Sequence, residues 1–168
     1  ENFESYFISG EFGILDNDKI QNYPNIKQFY NITEMKREIS PINDLIAFFK
    51  LIKLIRKIRA QIVHTHCPKS GVLGRWAAFF SGIKNIKIIH THHGFAYSKN
   101  PIMNFYSIIE KLNSVITDKL IFVSNENLEV ALKNKITKKE KSGIIRCGID
   151  IAKYNGKISN KNTKIIGT

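Results

Sequence analysis

Acidic residues are scarce in this sequence. Its 168 residues hold 14 Asp and Glu against 26 Lys and Arg, which leaves a formal net charge of +12 and a pI near 9.7. The partner expected of such a chain is anionic: a nucleotide, a phospholipid surface or a nucleic acid. Part of the excess is compositional, because lysines are scattered through an Ile- and Asn-rich background as well as clustered. Cysteine is nearly absent too. Cys67 and Cys147 stand far apart in no Cys-x-x-Cys spacing, which excludes a disulfide framework and fits a reducing compartment. No apolar run reaches the ~18 residues of a membrane span. No charged-then-apolar leader opens the chain, so no signal peptide is expected. A Walker-type Gly-rich loop and a Gly-x-Ser-x-Gly elbow are both missing. What remains is an ordinary globular composition, 43% hydrophobic and 24% charged, with length for one domain and a sizeable core.

Histidine is sparse but concentrated. All five lie in two stretches, Ala60-Gln61-Ile62-Val63-His64-Thr65-His66-Cys67-Pro68 and Ile86-Lys87-Ile88-Ile89-His90-Thr91-His92-His93-Gly94-Phe95. Each reads as a short, β-branched strand ending in polar side chains. In an open α/β sheet such strand ends face the ligand crevice. The expectation is one crevice built around both.

Along the chain, Ser5 to Gly10 is a strand signal, residues 11–23 read as a loop, and 26–32 as an edge-like strand. Ser40-Pro41 opens a helix running to about 59, with Ser as N-cap and Pro at the first helical position. Leu45, Phe48, Phe49, Ile52 and Ile55 recur at helical spacing as its apolar face. Lys50, Lys53, Arg56 and Lys57 fill the other side. That basic side reads either as a solvated surface or as a membrane-facing one suited to anionic lipid. Strand 61–65 follows, with Ile62, His64 and His66 on one face and Val63 and Thr65 on the other. A helix capped by Ser70 runs to 80, and its free N–H groups with Lys69 and Arg75 could seat an anion. Strand 87–91, a helix from Asn100-Pro101 to about 116, strand 120–124, a helix over 126–133 and a small strand at 144–145 complete the series. Residues 157–163 are a polar linker. Alternation of strand and helix from residue 60 onward predicts βαβ units and a parallel, Rossmann-like sheet flanked by helices.

The histidines admit two chemistries. His64 with His66, and His90 with His92, form two His-x-His pairs that neighbouring strand ends could bring together around Zn²⁺. No carboxylate or cysteine at a telling spacing completes such a set, and no metal is expected. Alternatively, a strand-end histidine followed by glycine faces a cleft as a base or orienting group, and His93-Gly94 is the best placed.

At this point five segments, in order, resemble glycosyltransferase family 4. Ile62 through Arg75 is similar to that family's IVHTHxxKxGxLGR segment, and His90-Thr91-His92-His93-Gly94-Phe95 to its HTxHGF segment. Ile108-Ile109-Glu110-Lys111 resembles its LER helix, Leu120-Ile121-Phe122-Val123-Ser124 its LIxVS strand, and Gly148-Ile149-Asp150 its NGID turn. The resemblance implies the amino-terminal half of a GT-B fold, two Rossmann-like domains facing a cleft. It implies transfer from a nucleotide sugar with retention, no cofactor and no metal. By the same resemblance His93 is the catalytic histidine, and His66, Lys69, Ser70, Gly71, Arg75 and Gly94 line the acceptor side. Arg146, Gly148 and Asp150 lead to the hinge and donor side, with Cys147 where the motif has Asn.

Residues 1–156 are then expected to form an incomplete acceptor domain, and 157–168 a linker and the start of a donor domain that is missing. The family's Gly-rich first strand and Glu-x₇-Glu motif are likewise expected outside the chain. The acceptor would be a glycan or lipid-linked chain in bacterial cell-surface polysaccharide or lipopolysaccharide synthesis, handled in the cytoplasm or peripherally on the inner membrane face. Two alternatives stand beside this reading. One is a sugar-nucleotide epimerase of the same fold, which the five-segment match disfavours. The other is a basic nucleic-acid-binding module, for which no helix-turn-helix, RNA-binding aromatic pair or zinc-finger spacing is present.

Overall fold

A computed structural model describes residues 3–10, 26–94 and 101–148, of which 101–104 as backbone alone. Among the described residues are six strands and four helices, which alternate from residue 60 onward as the spacing predicts. Strands β1 (Ser5–Ser9) and β2 (Ile26–Asn31) are followed by helix α1 (Pro41–Ile58), β3 (Ile62–His66), α2 (Pro68–Phe80), β4 (Lys87–His92) and α3 (Pro101–Val115). Then come β5 (Lys119–Phe122), α4 (Asn125–Lys133), a 3₁₀ turn (Lys139–Lys141) and β6 (Ser142–Ile144). Every pairing among the described strands is parallel. β1 and β2 form a two-stranded sheet, and β3-β4-β5-β6 form a second in sequence order.

Helix α1 joins the two sheets. Its buried side chains Ala47, Leu51, Ile52 and Ile55 gather Ile8 of the small sheet and Ile32 just after β2, Val63 and Ile88 from the large sheet, and Ala77 and Ala78 of α2 into one cluster. The face differs from the sequence expectation. Leu45 and Phe49 are exposed and Phe48 is half-buried, whereas Ala47 and Leu51 are inside. Ile52 and Ile55 are buried as expected and Phe48 packs against the same cluster, so the stripe is right at those positions. Because the helix carries apolar residues on both sides, periodicity added Leu45 and Phe49 in place of Ala47 and Leu51.

Helix starts also shift in detail. Ser40 does flank α1, but its hydroxyl accepts from the Asn43 amide rather than from a backbone N–H. Asp44 does the capping instead, accepting from the Ser40 N–H at 3.1 Å. Helix α2 begins two residues earlier than expected, with Pro68 at its first position. Ser70 therefore lies inside the first turn, its hydroxyl donating back to the His66 carbonyl. Helix α4 is capped as its sequence demands, Ser124 Oγ accepting from the Asn127 N–H.

Register sets the faces of the large sheet. Val63 pairs with Ile88, Thr65 with His90, and His92 with Phe122. These residues face the helices: His90 lies against Gly71 of α2, and Leu120 and Phe122 pack on Ala131 of α4. Ile62, His64 and His66 occupy the opposite face and stay exposed. The loop expected at 11–23, the linker at 157–163 and the expected start of a donor domain within 157–168 lie outside the described residues.

Candidate active site

The carboxyl edge of the large sheet carries the chemistry. β3 ends at His66, β4 at His92 followed by His93 and Gly94, and β6 leads into Arg146 and Gly148; His93, Gly94, Arg146 and Gly148 are all exposed. Asp150 lies outside the described residues. Cys67, between β3 and α2, takes φ +61° and ψ 154°, a conformation costly for any residue with a Cβ. That turn lets α2 start at once, so its free N–H groups lie beside the His66 strand end.

His66 and His93 meet here. His66 Nδ1 and His93 Nε2 are 3.0 Å apart, with ring centroids separated by 5.2 Å. A hydrogen bond between two ring nitrogens needs one N–H and one lone pair, so the pair holds its shared proton between them. His64 stacks next to His66 at 4.4 Å, and its Nε2 is 2.7 Å from Thr91 Oγ1. Burial, then the neighbouring His93, lowers the pKa of His66. Burial, then His66 and His93, lowers that of His64. Neutral imidazoles are favoured, able both to accept and to donate toward a hydroxyl or phosphate. The bond to His66 engages Nε2 of His93, so Nδ1 is the nitrogen through which His93 would meet a ligand.

The two His-x-His pairs do not converge. Because Thr65, not His66, is registered with His90, the pair His64 and His66 lies on the open face and the pair His90 and His92 on the helical face. His90 is buried, its Nδ1 2.8 Å from Thr65 Oγ1. Its pKa falls to about 2, through burial first and the charge of Arg75 next. His92 stacks on Phe122 at 5.2 Å and falls to about 4, burial outweighing the opposing pull of Glu110. His90, His92 and Glu110 place their donor atoms within 4.8 Å of one another. Arg75, however, already holds both Glu110 oxygens, Nη2 lying 2.9 and 3.0 Å from them. A divalent cation would have to displace a guanidinium from a closed site, so the donor set is an ion pair with two neutral histidines rather than a metal cage.

Several expected site residues are turned inward. Arg75 is completely buried between α2 and α3 and cannot reach an acceptor in this arrangement. Its charge is consumed by Glu110, and its Nε donates to the Gly71 carbonyl. Gly71 is small because His90 lies above it: a Cβ there would sit 2.5 Å from His90 Cε1. Lys69 is tied to Asp44 Oδ1 at 2.6 Å and to the Glu38 carbonyl, so the anion seat expected at the start of α2 has lost its lysine to an internal pair. The sequence reading assigned no role to Glu110, Asp44, Thr65 or Thr91. The scarcity of acid was the available signal, since each buried carboxylate in so cationic a chain is worth a partner search.

The profile of Glycosyltransferase Family 4 matches residues 16–153. This chain belongs to that family. A UDP-Gal:alpha-D-GlcNAc-diphosphoundecaprenol alpha-1,3-galactosyltransferase of Escherichia coli is 31% identical over 98% of the chain and 42% of its own length. CapM of Staphylococcus aureus, a capsular polysaccharide biosynthesis glycosyltransferase, is 26% identical over 90% of the chain and 41% of its own length. The family-4 chain described here thus spans less than half the length of these relatives. Among solved structures, a UDP-N-acetylglucosamine 2-epimerase superposes with TM-score 0.57 at 16% identity, covering 83% of the chain and 46% of that protein. Acinetobacter baumannii MurG superposes with TM-score 0.53 at 12% identity, covering 84% and 36%. These likenesses establish the fold, a Rossmann-like domain of the GT-B kind. The sequence relatives are transferases, which favours the transferase reading over the epimerase one.

Proposed function

We propose that this chain is the acceptor-binding domain of a retaining, nucleotide-sugar-dependent glycosyltransferase that builds a bacterial cell-surface polysaccharide such as a capsule or lipopolysaccharide. The observation that carries the reading is the His66–His93 pair at the carboxyl edge, inside the segment matched by the family profile. The acceptor is a glycan or lipid-linked chain, in keeping with the diphosphoundecaprenol named in the E. coli relative. Residues 1–156 form the acceptor domain and 157–168 lead to a donor domain. No cofactor or metal takes part, and the enzyme works in the cytoplasm, peripherally on the inner membrane face.

In this reading His93 contacts the transferring sugar region and His66 orients its ring. Gly94 leaves the space beside it free of a side chain, and Arg146 with Gly148 sits toward the donor side. Ser70 and Lys69 border the acceptor approach, while Arg75 and Gly71 act from beneath by fixing β4. The test is His93→Ala in the full-length protein, assayed with nucleotide sugars and an undecaprenyl-diphosphate acceptor. Turnover falls about 10²-fold or more, with melting unchanged. Turnover close to the parent's would remove His93 from the reaction.

A further inference from the structure

Helix α1 is apolar on two sides, and the core uses only one. Opposite Ala47, Leu51 and Ile55, the exposed line reads Ile42, Leu45, Ile46 and Phe49, with Ile42 77% exposed. The same line then continues as Lys50, Lys53, Arg56 and Lys57. The exposed face is therefore segregated along its length, greasy in the amino-terminal half and basic in the carboxyl-terminal half. Ile39, just before the helix, is 87% exposed and extends the greasy end. Ile42 to Phe49 extends about 10 Å along the helix axis, two turns of exposed apolar surface.

Position adds meaning to the pattern. Lys69, at the start of α2 beside the His66 strand end, binds Asp44 of the first turn of α1 and the carbonyl of Glu38 before it. The greasy end thus lies on the same edge of the sheet as the histidine pair. The charges follow a consistent order behind it. Lys50 is neutralised by Glu34 at 2.6 Å, Arg56 donates to the Phe80 and Ser81 carbonyls while remaining exposed, and Lys53 and Lys57 face solvent. Helix α3 carries another exposed apolar stripe, Phe105, Ile108, Leu112 and Val115, but its described side chains include a single cation, Lys111, and nothing assigns it an occupant.

We propose that the amino-terminal end of α1 is an insertion tip for an anionic bilayer. Ile39, Ile42, Leu45 and Phe49 enter the headgroup–acyl boundary, and Lys53, Arg56 and Lys57 rest on lipid phosphates behind them. This deepens the lipid-linked reading above, on which its purpose rests, and changes the contact expected from sequence. The basic side of α1 is the rear support, and the apolar tip is the part that enters. Because the tip lies on the same edge of the sheet as His66 and His93, its insertion holds that edge against the membrane surface, where a lipid-borne diphosphate sits.

The test uses the full-length protein and vesicles of phosphatidylglycerol with phosphatidylethanolamine, read by cosedimentation. The variant combining Ile42→Ser, Leu45→Ser and Phe49→Ser binds at least about tenfold more weakly, because three large side chains no longer leave water. These positions are exposed, so its melting temperature stays that of the parent. Separately, Phe49→Trp gains fluorescence quenching by brominated lipids over that of the parent, because the added indole enters the acyl boundary. Unchanged sedimentation of the triple variant would overturn the proposal, as would a parent protein that ignores these vesicles. Concentration-dependent self-association abolished by the same three changes would overturn it in favour of a second copy. The readout needs no sugar donor, so vesicle binding through the tip would stand even if sugar transfer were never found.

Discussion

Arg75 and Glu110 are joined by nothing in sequence except their types, thirty-five positions apart, yet their ion pair sits under the whole candidate site. Both are enclosed, so their mutual attraction offsets a large desolvation cost and each is hazardous without the other. Glu110→Ala strands a buried guanidinium beside His92 and His90. The expected cost is about 3–5 kcal/mol, read as a large fall in the melting temperature of the intact protein. A loss below about 1 kcal/mol would mean that water reaches Arg75 and that the site is not closed. The histidines themselves were legible because they are rare and clustered. Which of them would meet was not, since a shift of one residue in register exchanges the faces of a strand.

At the scale of the element, α1 shows how one helix can answer two demands. Pro41 and the acidic first turn mark its start, and Arg59 in the left-handed conformation closes it. Asp44 does two jobs there, accepting from the Ser40 N–H and pairing with Lys69. Asp44→Ala should cost about 1–2 kcal/mol in thermal or urea unfolding, more than an ordinary surface substitution. It should also free Lys69, which a lysine-directed acylating reagent would report as faster labelling in the native protein. Labelling at the parent rate would show that Asp44 does not hold the lysine. The sequence located this helix nearly to the residue. It placed Ile52 and Ile55 inside, as they are, but took Leu45 and Phe49 for core in place of Ala47 and Leu51, because all four fit the helical period.

For the whole molecule, the quantity to follow is acid sensitivity. His90 and His92 titrate at about 2 and about 4 in the folded chain, against 6.5 for the unperturbed group. Folding therefore depresses both values, and below pH 6.5 the unfolded chain binds protons that the folded one refuses. Stability is lost as pH falls from 6.5, each histidine contributing up to about 1.4 kcal/mol per pH unit until its folded value is reached. Between neutrality and pH 5.5 the two together remove about 2.5 kcal/mol. Urea midpoints measured across that interval should fall steeply for the parent and less so for His92→Gln. Equal slopes would mean that His92 is protonated in the folded state.

The sequence by itself determined the alternation of strands and helices, the parallel order, the family and the edge at which chemistry collects. These follow from hydrophobic period, helix-start residues and short motifs, all of which act over a few neighbouring positions. Tertiary structure alone decided that His66 finds His93 while His90 and His92 are sealed beneath, that Arg75 and Lys69 are spent on Glu110 and Asp44, and which side of α1 faces out. Those outcomes depend on register and on competition for space and counter-charge between residues far apart in the chain. Burial settles that competition by making every charge it encloses find a partner.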